Sequence, residues 1–341
     1  MANLFPILNN LSPALTGIAR LAAQSHPLGD GHFVEYKALP VKSVINRVVS
    51  RRQLPFSLSI NPYRGCEFAC RYCYARYTHE FMELRRPEDF ERQIFVKQNT
   101  AWLLEQELRR HDPSEPIAIG TATDPYQPIE RTARMTQGIL EVFAKRSGLR
   151  LGLITKSTLI ERDIPLLQQI ADRNHLAVHV TITTTNTQLA RTLEPRAPRP
   201  DLRFRTVRRL RDAGLNVGIF CSPVLPAITD TPRALERMVR AAADSHVTSF
   251  HAQPLFLKPS SKTVFDAFIA KEFPGLVHAY QARYADGAFV TSEYRKNLAR
   301  LVKALCTRHG IAEHEEESPY RKPVPSAPLQ GNLFPGSQQV R

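Results

Sequence analysis

The chain has 341 residues, 43% of them hydrophobic, with 46 Lys and Arg against 32 Asp and Glu, a formal charge of +14 and a pI near 9.8. No apolar run is long enough to cross a bilayer, the N-terminus Met-Ala-Asn-Leu-Phe-Pro lacks the pattern of a secretory signal, and five cysteines with three in one motif are no disulfide framework. These features exclude a membrane span and a disulfide-stapled scaffold, and they lead us to expect a cytoplasmic globular protein whose positive excess attracts polyanions.

Residues 1–40 are punctuated by proline and glycine, so little regular structure is expected there. Residues 41–52 read as a short basic amphipathic helix, with Val44, Ile45, Val48 and Val49 on one side and Lys42, Arg47, Arg51 and Arg52 unopposed by acid. Residues 56–60 are the first barrel-type strand. The stretch Asn61-Pro62-Tyr63-Arg64-Gly65-Cys66-Glu67-Phe68-Ala69-Cys70-Arg71-Tyr72-Cys73-Tyr74 follows at its C-terminal end, where α/β barrels carry their active-site loops. A helix starts at 74–81, and another covers 99–110 with Trp102, Leu103 and Leu108 among its apolar residues. The second strand, 117–120, runs into Thr121-Ala122-Thr123-Asp124-Pro125-Tyr126. Gly120 permits close backbone approach there. Thr121, Thr123 and Asp124 supply polar groups, although Asp124-Pro125 reads equally well as a turn.

A helix from Thr132 to near Gly148 leads to the third strand, 151–154, which ends on Thr155-Lys156-Ser157. A lysine in that place suits a ligand carboxylate or phosphate. The helix 159–173 and the fourth strand, 177–183, follow; Thr181 and Thr183 at its end are also explained by the β-propensity of threonine. Residues 191–211 hold eight arginines (191, 196, 199, 203, 205, 208, 209 and 211) against Glu194 and Asp201. That segment is either a phosphate-contacting face or a solvated one. The helix 202–213 stops at Gly214, the fifth strand spans 216–221 and ends on Cys221, and Thr231-Pro232 is a capping residue followed by proline at the first helical position. The sixth strand is 248–257. Six strand–helix alternations argue for a parallel α/β barrel. Beyond residue 260 only helices are expected, at 263–273, 276–284 and 292–308; Cys306 falls on the apolar stripe of the last, so it reads as a core residue. The chain thus divides into an extension (1–53), a barrel (54–260), a helical segment (261–312) and a flexible tail (313–341).

The spacing C-x3-C-x2-C at Cys66, Cys70 and Cys73 lets three thiolates converge on one soft-metal centre. A closed zinc site needs a fourth ligand, which His79 would supply. Three cysteines on a four-iron cluster instead leave one iron open, as a catalytic metal requires.

This pattern, with Tyr72 before its last cysteine, resembles the signature of the radical S-adenosylmethionine (radical SAM) enzymes. The lead-in Ser59-Ile60-Asn61-Pro62-Tyr63-Arg64-Gly65-Cys66 resembles more narrowly the branch of spore photoproduct lyase and the DNA repair photolyase-like proteins, over roughly residues 40 to 260. The resemblance implies a partial (β/α)6 TIM-type barrel with additional C-terminal helices. It implies a [4Fe-4S] cluster on Cys66, Cys70 and Cys73, S-adenosylmethionine on the open iron, reductive cleavage to a 5′-deoxyadenosyl radical, and a reductant such as flavodoxin or ferredoxin. It places Tyr72 near the adenine and the segment of Gly120, Thr121, Thr123 and Asp124 at the methionyl amino group. Lys156, assisted by Thr181 or Thr183, meets the carboxylate, and Glu194 and Arg205 line the site or pair there.

The lyase branch quenches its substrate radical with a cysteine in the strand-two region, where this chain has Thr121-Ala122-Thr123-Asp124. Cys221 is the remaining thiol with reach, unless it is an inert buried one. Tyr126, with Tyr63, Tyr74 and Tyr77, is a candidate stacking or radical-relay group, or ordinary packing. The leading expectation is a radical SAM enzyme acting on a nucleic-acid base or lesion in DNA or RNA. The alternatives are the same chemistry on a peptide, protein or small metabolite, and a non-catalytic iron–sulfur or zinc protein that binds nucleic acid.

Overall fold

The computed structural model describes residues 15–31, 33–48 and 54–311. Val49, Arg51 and Arg52 of the basic segment and the tail 313–341 lie outside them. In chain order the strands are β1 (His26–Gly31), β2 (Val34–Leu39), β3 (Ile45–Arg47), β4 (Leu58–Ile60), β5 (Tyr63–Arg64), β6 (Gln93–Lys97), β7 (Ile117–Ile119), β8 (Arg150–Thr155), β9 (His175–Thr181), β10 (Val217–Val224) and β11 (Ser249–Pro254).

Six of them, β4, β7, β8, β9, β10 and β11, lie side by side and parallel in sequence order, and these are the six strands expected. Strand β3 adds an antiparallel edge to β4. Among the described residues no pairing joins β11 back to the other edge, so the sheet is open. Its two faces follow from the two-residue period of a strand. The paired row Ile60, Ile119, Leu153, Val178 and Val217 is fully buried. It shares one apolar cluster with Ile139, Phe143, Leu167, Val207, Leu210 and Met238 of the crossover helices. The neighbouring row, Ser59, Ala118, Gly152 and Ala177, is small and faces the other way. The sheet is therefore greasy toward its helices and roomy on its inner face.

Helix Pro232–Ala243 shows why the crossovers form. Thr231 accepts the Ala234 N–H at 3.2 Å, Pro232 takes the first position, and Leu235, Met238, Val239 and Ala242 are buried at helical spacing. Helices Pro259–Glu272, Val277–Arg283 and Ser292–Arg308 end the described chain as expected, with Cys306 in the core. No helix among the described residues is long and apolar enough to cross a membrane.

The N-terminal part departs from expectation. Strands β1 and β2 pair antiparallel despite the glycines and proline of β1. Strand β2 pairs in parallel with β6, and β5 pairs antiparallel with β6, giving a second, four-stranded sheet. Its strength comes from Ile94, Phe95 and Val96, buried from a part of the chain sixty residues away. Within the described part of the expected helix over 41–52, residues 45–47 are instead β3, whose ladder to β4 replaces helical bonds. The Glu107 carboxylate accepts the Val44 and Ile45 N–H groups at 3.1 and 2.8 Å, which holds that edge extended. Trp102, named among the apolar residues of its helix, is 62% exposed.

Candidate active site

The cysteine loop is fastened from outside at several points. The Cys66 N–H donates to the Phe90 carbonyl at 2.9 Å, and the Arg71 N–H donates to the Leu193 carbonyl at 2.9 Å. Gln127, fully buried, donates to the Gly65 carbonyl and accepts the Glu67 N–H. Gly65 is required at this turn: a Cβ there would stand 2.8 Å from the Phe90 and Gln93 carbonyl oxygens. Asn61, at the end of β4, accepts the Ala122 and Thr123 N–H groups and donates to the Thr121 hydroxyl. The loop after β4 and the loop after β7 thus act as one rigid piece.

Cys66 and Cys70 are buried and Cys73 half-buried, all three as free thiols. Burial pushes all three up, and each is raised further by at least one negative neighbour, Cys66 by Asp124 and both other thiols. The positive charge of an iron centre would reverse that preference. Among the described residues no three Cys, His, Asp or Glu side chains already surround a metal position. The donor set itself, three thiols within eight residues and no fourth, fits a thiophilic cluster with one open position. His79 does not complete a zinc site. It is 1% exposed, its Nε2 contacts the Gln93 carbonyl at 3.0 Å, and its ring packs edge-on against Phe90 and Phe95.

Next to the thiols lies a buried charged group. Glu194 pairs with Arg203 at 2.5 Å, each side chain 1% exposed. Tyr72 donates to the same carboxylate, and the Thr183 hydroxyl donates at 3.4 Å. Arg203 donates further to the carbonyls of Pro198 and Thr181. Burial alone would raise Glu194, but Arg203 and Lys156 outweigh it and hold its pKa below the ordinary value. Burial works against the Lys156 ammonium, yet Cys70 and Glu194 together keep it raised. Its Nζ stands 5.8 Å from the Tyr72 ring centroid and makes no ion pair among the described residues. Asp124 is committed to structure: it accepts the Thr155 hydroxyl and the Lys156 N–H, each at 2.7 Å, and the Tyr126 N–H at 2.9 Å. It is both the turn residue and the tie between the ends of β7 and β8.

Several expected partners separate. Arg205 is exposed on the outer side of helix Pro200–Asp212, whereas Arg203, two residues earlier and about 200° around the helix, meets Glu194. Cys221 lies on the same face of β10 as Val217 and Ile219, in the apolar cluster shared with the helices; it is 1% exposed and pushed up to about 12, by burial and then by Glu194. It is a core thiol and does not open on the inner face. Tyr126 is equally buried in that core, where burial and then Asp163 hold its phenol well above the ordinary value. Tyr63 is buried against Glu130, while Tyr74 donates to the Thr121 carbonyl at the mouth. Of the eight arginines in the basic segment, Arg199 pairs with Asp201, Arg209 with Glu161, and Arg211 holds the His246 and Leu215 carbonyls. The run is therefore not one patch. Sequence reasoning missed Asn61, Gln127 and Arg203. The helical period through Phe204, Val207 and Leu210 points to Arg203; nothing local marks the other two.

The chain is similar to several known proteins. An uncharacterized protein of Mycobacterium tuberculosis is 33% identical over 335 residues, 97% of each chain. An uncharacterized protein of Methanocaldococcus jannaschii is 30% identical over 171 residues, 50% of this chain and 61% of that protein. The fold is similar to the solved structure of spore photoproduct lyase complexed with dinucleoside spore photoproduct, with a TM-score of 0.62 over 80% of this chain and 79% of that one at 14% identity. The model of the radical SAM superfamily matches residues 60–242, the span from the end of β4 through helix Pro232–Ala243 that carries the cysteine loop, Lys156, Glu194 and Arg203. With three thiols at the end of the first parallel strand and that match over more than half its length, the chain belongs to the radical SAM superfamily and is an enzyme of that class.

Proposed function

We propose that Cys66, Cys70 and Cys73 hold a [4Fe-4S] cluster, that S-adenosylmethionine binds beside it, and that the substrate is a base or lesion in nucleic acid. The observation that carries this reading is the meeting of three free thiols, the Tyr72–Glu194–Arg203 group and the Lys156 ammonium at one end of the parallel strands. When bound, the cluster supplies the one-electron reductive cleavage of S-adenosylmethionine.

The chain's own residues have distinct tasks. Lys156, kept charged by Cys70 and Glu194 but in no close ion pair among the described residues, offers its ammonium to the ligand's carboxylate. Tyr72 is held by Glu194, so its ring is a fixed wall. Glu194 is balanced by Arg203 and Lys156 and remains ionised in a dry setting. Asn61 spends its side chain on the Ala122 and Thr123 N–H groups, which fixes the loop after β7 where it would meet a ligand's amino group. Thr181 contributes its carbonyl to Arg203, a supporting role. Cys221 and Cys306 lie in the core, so the reaction is one that needs no protein thiol as hydrogen donor. The nucleic-acid substrate is supported by the charge of +14 and by Arg205 and Arg208, exposed and without ion pairs among the described residues.

The test is anaerobic reconstitution, iron and sulfide analysis, then dithionite and S-adenosylmethionine with detection of 5′-deoxyadenosine. About four irons per chain with 5′-deoxyadenosine, both lost in Cys66→Ala, Cys70→Ala or Cys73→Ala, is the expected result. A single zinc with S-adenosylmethionine intact would sink the reading.

A further inference from the structure

An aromatic row on the rim is left over once the thiols, Tyr72 and Lys156 have been assigned. It begins at Tyr74, directly after Cys73, whose hydroxyl donates to the Thr121 carbonyl and so fixes the ring. The Phe256 ring lies 5.1 Å away, centroid to centroid. Phe289 stacks on Phe256 at 5.6 Å with 29° between planes. The two phenylalanines are bridge partners, and the Leu257 N–H donates to the Ala288 carbonyl at 2.8 Å, so this spacing is set by backbone. Exposure grows along the row: Tyr74 and Phe256 are half-buried, and Phe289 is 46% exposed. The row joins the loop after β4, the first parallel strand, to the segment after β11, the last. It therefore spans the side on which the sheet is open.

A cation sits beside it. Lys258 Nζ stands 3.5 Å from the Tyr77 ring centroid. Tyr77 meets Phe81 edge-on, and Phe81 is 60% exposed. Rings that only packed a core would be covered. Here π-faces lead from the surface to the residue after a cluster cysteine, with a neighbouring ammonium, on a strongly basic chain. Aromatic faces interleaved with positive charge bind unpaired bases, because every base has a face to stack and a phosphate beside it.

We propose that Tyr74, Phe256 and Phe289 form a stacking platform for the unpaired bases of a single-stranded or locally opened nucleic acid, with Lys258 meeting a backbone phosphate. This rests on the nucleic-acid reading of the active site. It adds where the strand lies and in what state its bases arrive.

The test uses the full chain, reconstituted anaerobically, titrated with a single-stranded oligonucleotide carrying 2-aminopurine and with the matching duplex, at several salt concentrations. The single strand should bind more tightly than the duplex, with quenching of 2-aminopurine by stacking. Phe289→Ala should weaken binding by at least about fivefold, Phe289→Tyr should restore it, and Phe289→Leu, apolar but without a π-face, should not. Lys258→Ala should lower the salt slope by about 0.7 while leaving the quenching. Phe289 is exposed enough that these variants are expected to fold, which a thermal melt checks. If the wild type binds single strands and neither Phe289→Ala nor Phe256→Leu changes affinity or quenching, the platform is wrong and the nucleic-acid reading stands. Binding to duplex alone also overturns the platform. If 5′-deoxyadenosine forms but no nucleic acid binds, both fall, and the substrate is a peptide or small metabolite.

Discussion

Arg203 and Arg205 are chemically identical and two positions apart, yet their environments differ completely. Arg203 is buried with Glu194, while Arg205 stands in water. Removing one partner of a buried pair strands the other charge, at a cost of about 3–5 kcal/mol. Arg203→Ala should therefore lose about that much stability in a urea melt, and Arg205→Ala should stay within about 0.5 kcal/mol of wild type. Equal effects would mean the pairing is wrong. Gly120 gives a second prediction at this scale. Its φ is +87°, and a Cβ would stand 2.4 Å from the Ile154 carbonyl oxygen and 2.7 Å from Pro125 Cδ. Gly120→Ala should cost more than about 2 kcal/mol, since backbone strain adds to a clash that no side-chain rotation relieves. Gly120 was legible from sequence as a place of close approach; the identity of the atoms it approaches was not.

The elements hold the site through a few polar ties. Asp124 fastens the end of β7 to that of β8 through the Thr155 hydroxyl and the Lys156 N–H, and accepts the Tyr126 N–H of its own loop as well. Asp124→Ala leaves those donors buried and unmet, so a loss of about 2–4 kcal/mol is expected in the same melt. A wild-type-like melt would show that the tie is not needed. His79 fastens the short helix Tyr77–Glu80 to β6, and burial depresses it from 6.5 to about 4. Between those values the unfolded chain binds more protons than the folded one. Stability due to His79 is therefore whole above about pH 6.5 and is lost as pH falls toward 4. His179, depressed to about 3 by burial and then by His251, adds to the same acid loss. His79→Phe should lower stability at neutral pH by losing its bond, but flatten the decline between pH 6.5 and 4; an unchanged slope in melts across that range would rule out the buried neutral imidazole. At this scale the sequence read the helices and parallel strands well, because each carries a local period or cap. It misread residues 41–48, whose four apolar positions suit a helix face and an edge strand alike until Glu107 and β4 choose between them.

The three loop thiols sit apart from the apolar cluster that carries the sheet and its helices, which includes Cys221. Cys221→Val should accordingly keep the full iron content and the formation of 5′-deoxyadenosine, whereas any of the three loop cysteines changed to alanine should lose iron; loss of 5′-deoxyadenosine in Cys221→Val would return that thiol to the mechanism. By itself the sequence determined the order of the six parallel strands, the cysteine loop at the end of the first, and a set of candidate polar residues at the other strand ends. All of these are short-range patterns of spacing, capping and alternation. Only the tertiary structure decided which arginine meets Glu194, that Cys221 and Tyr126 face the helices, that Asp124 spends its carboxylate on β8, and that a second sheet braces the loop. Those outcomes depend on which face of a strand or helix is packed and on pairings between segments up to about sixty residues apart; apart from the helical period that puts Arg203 on the packed face, local patterns in the chain do not encode them.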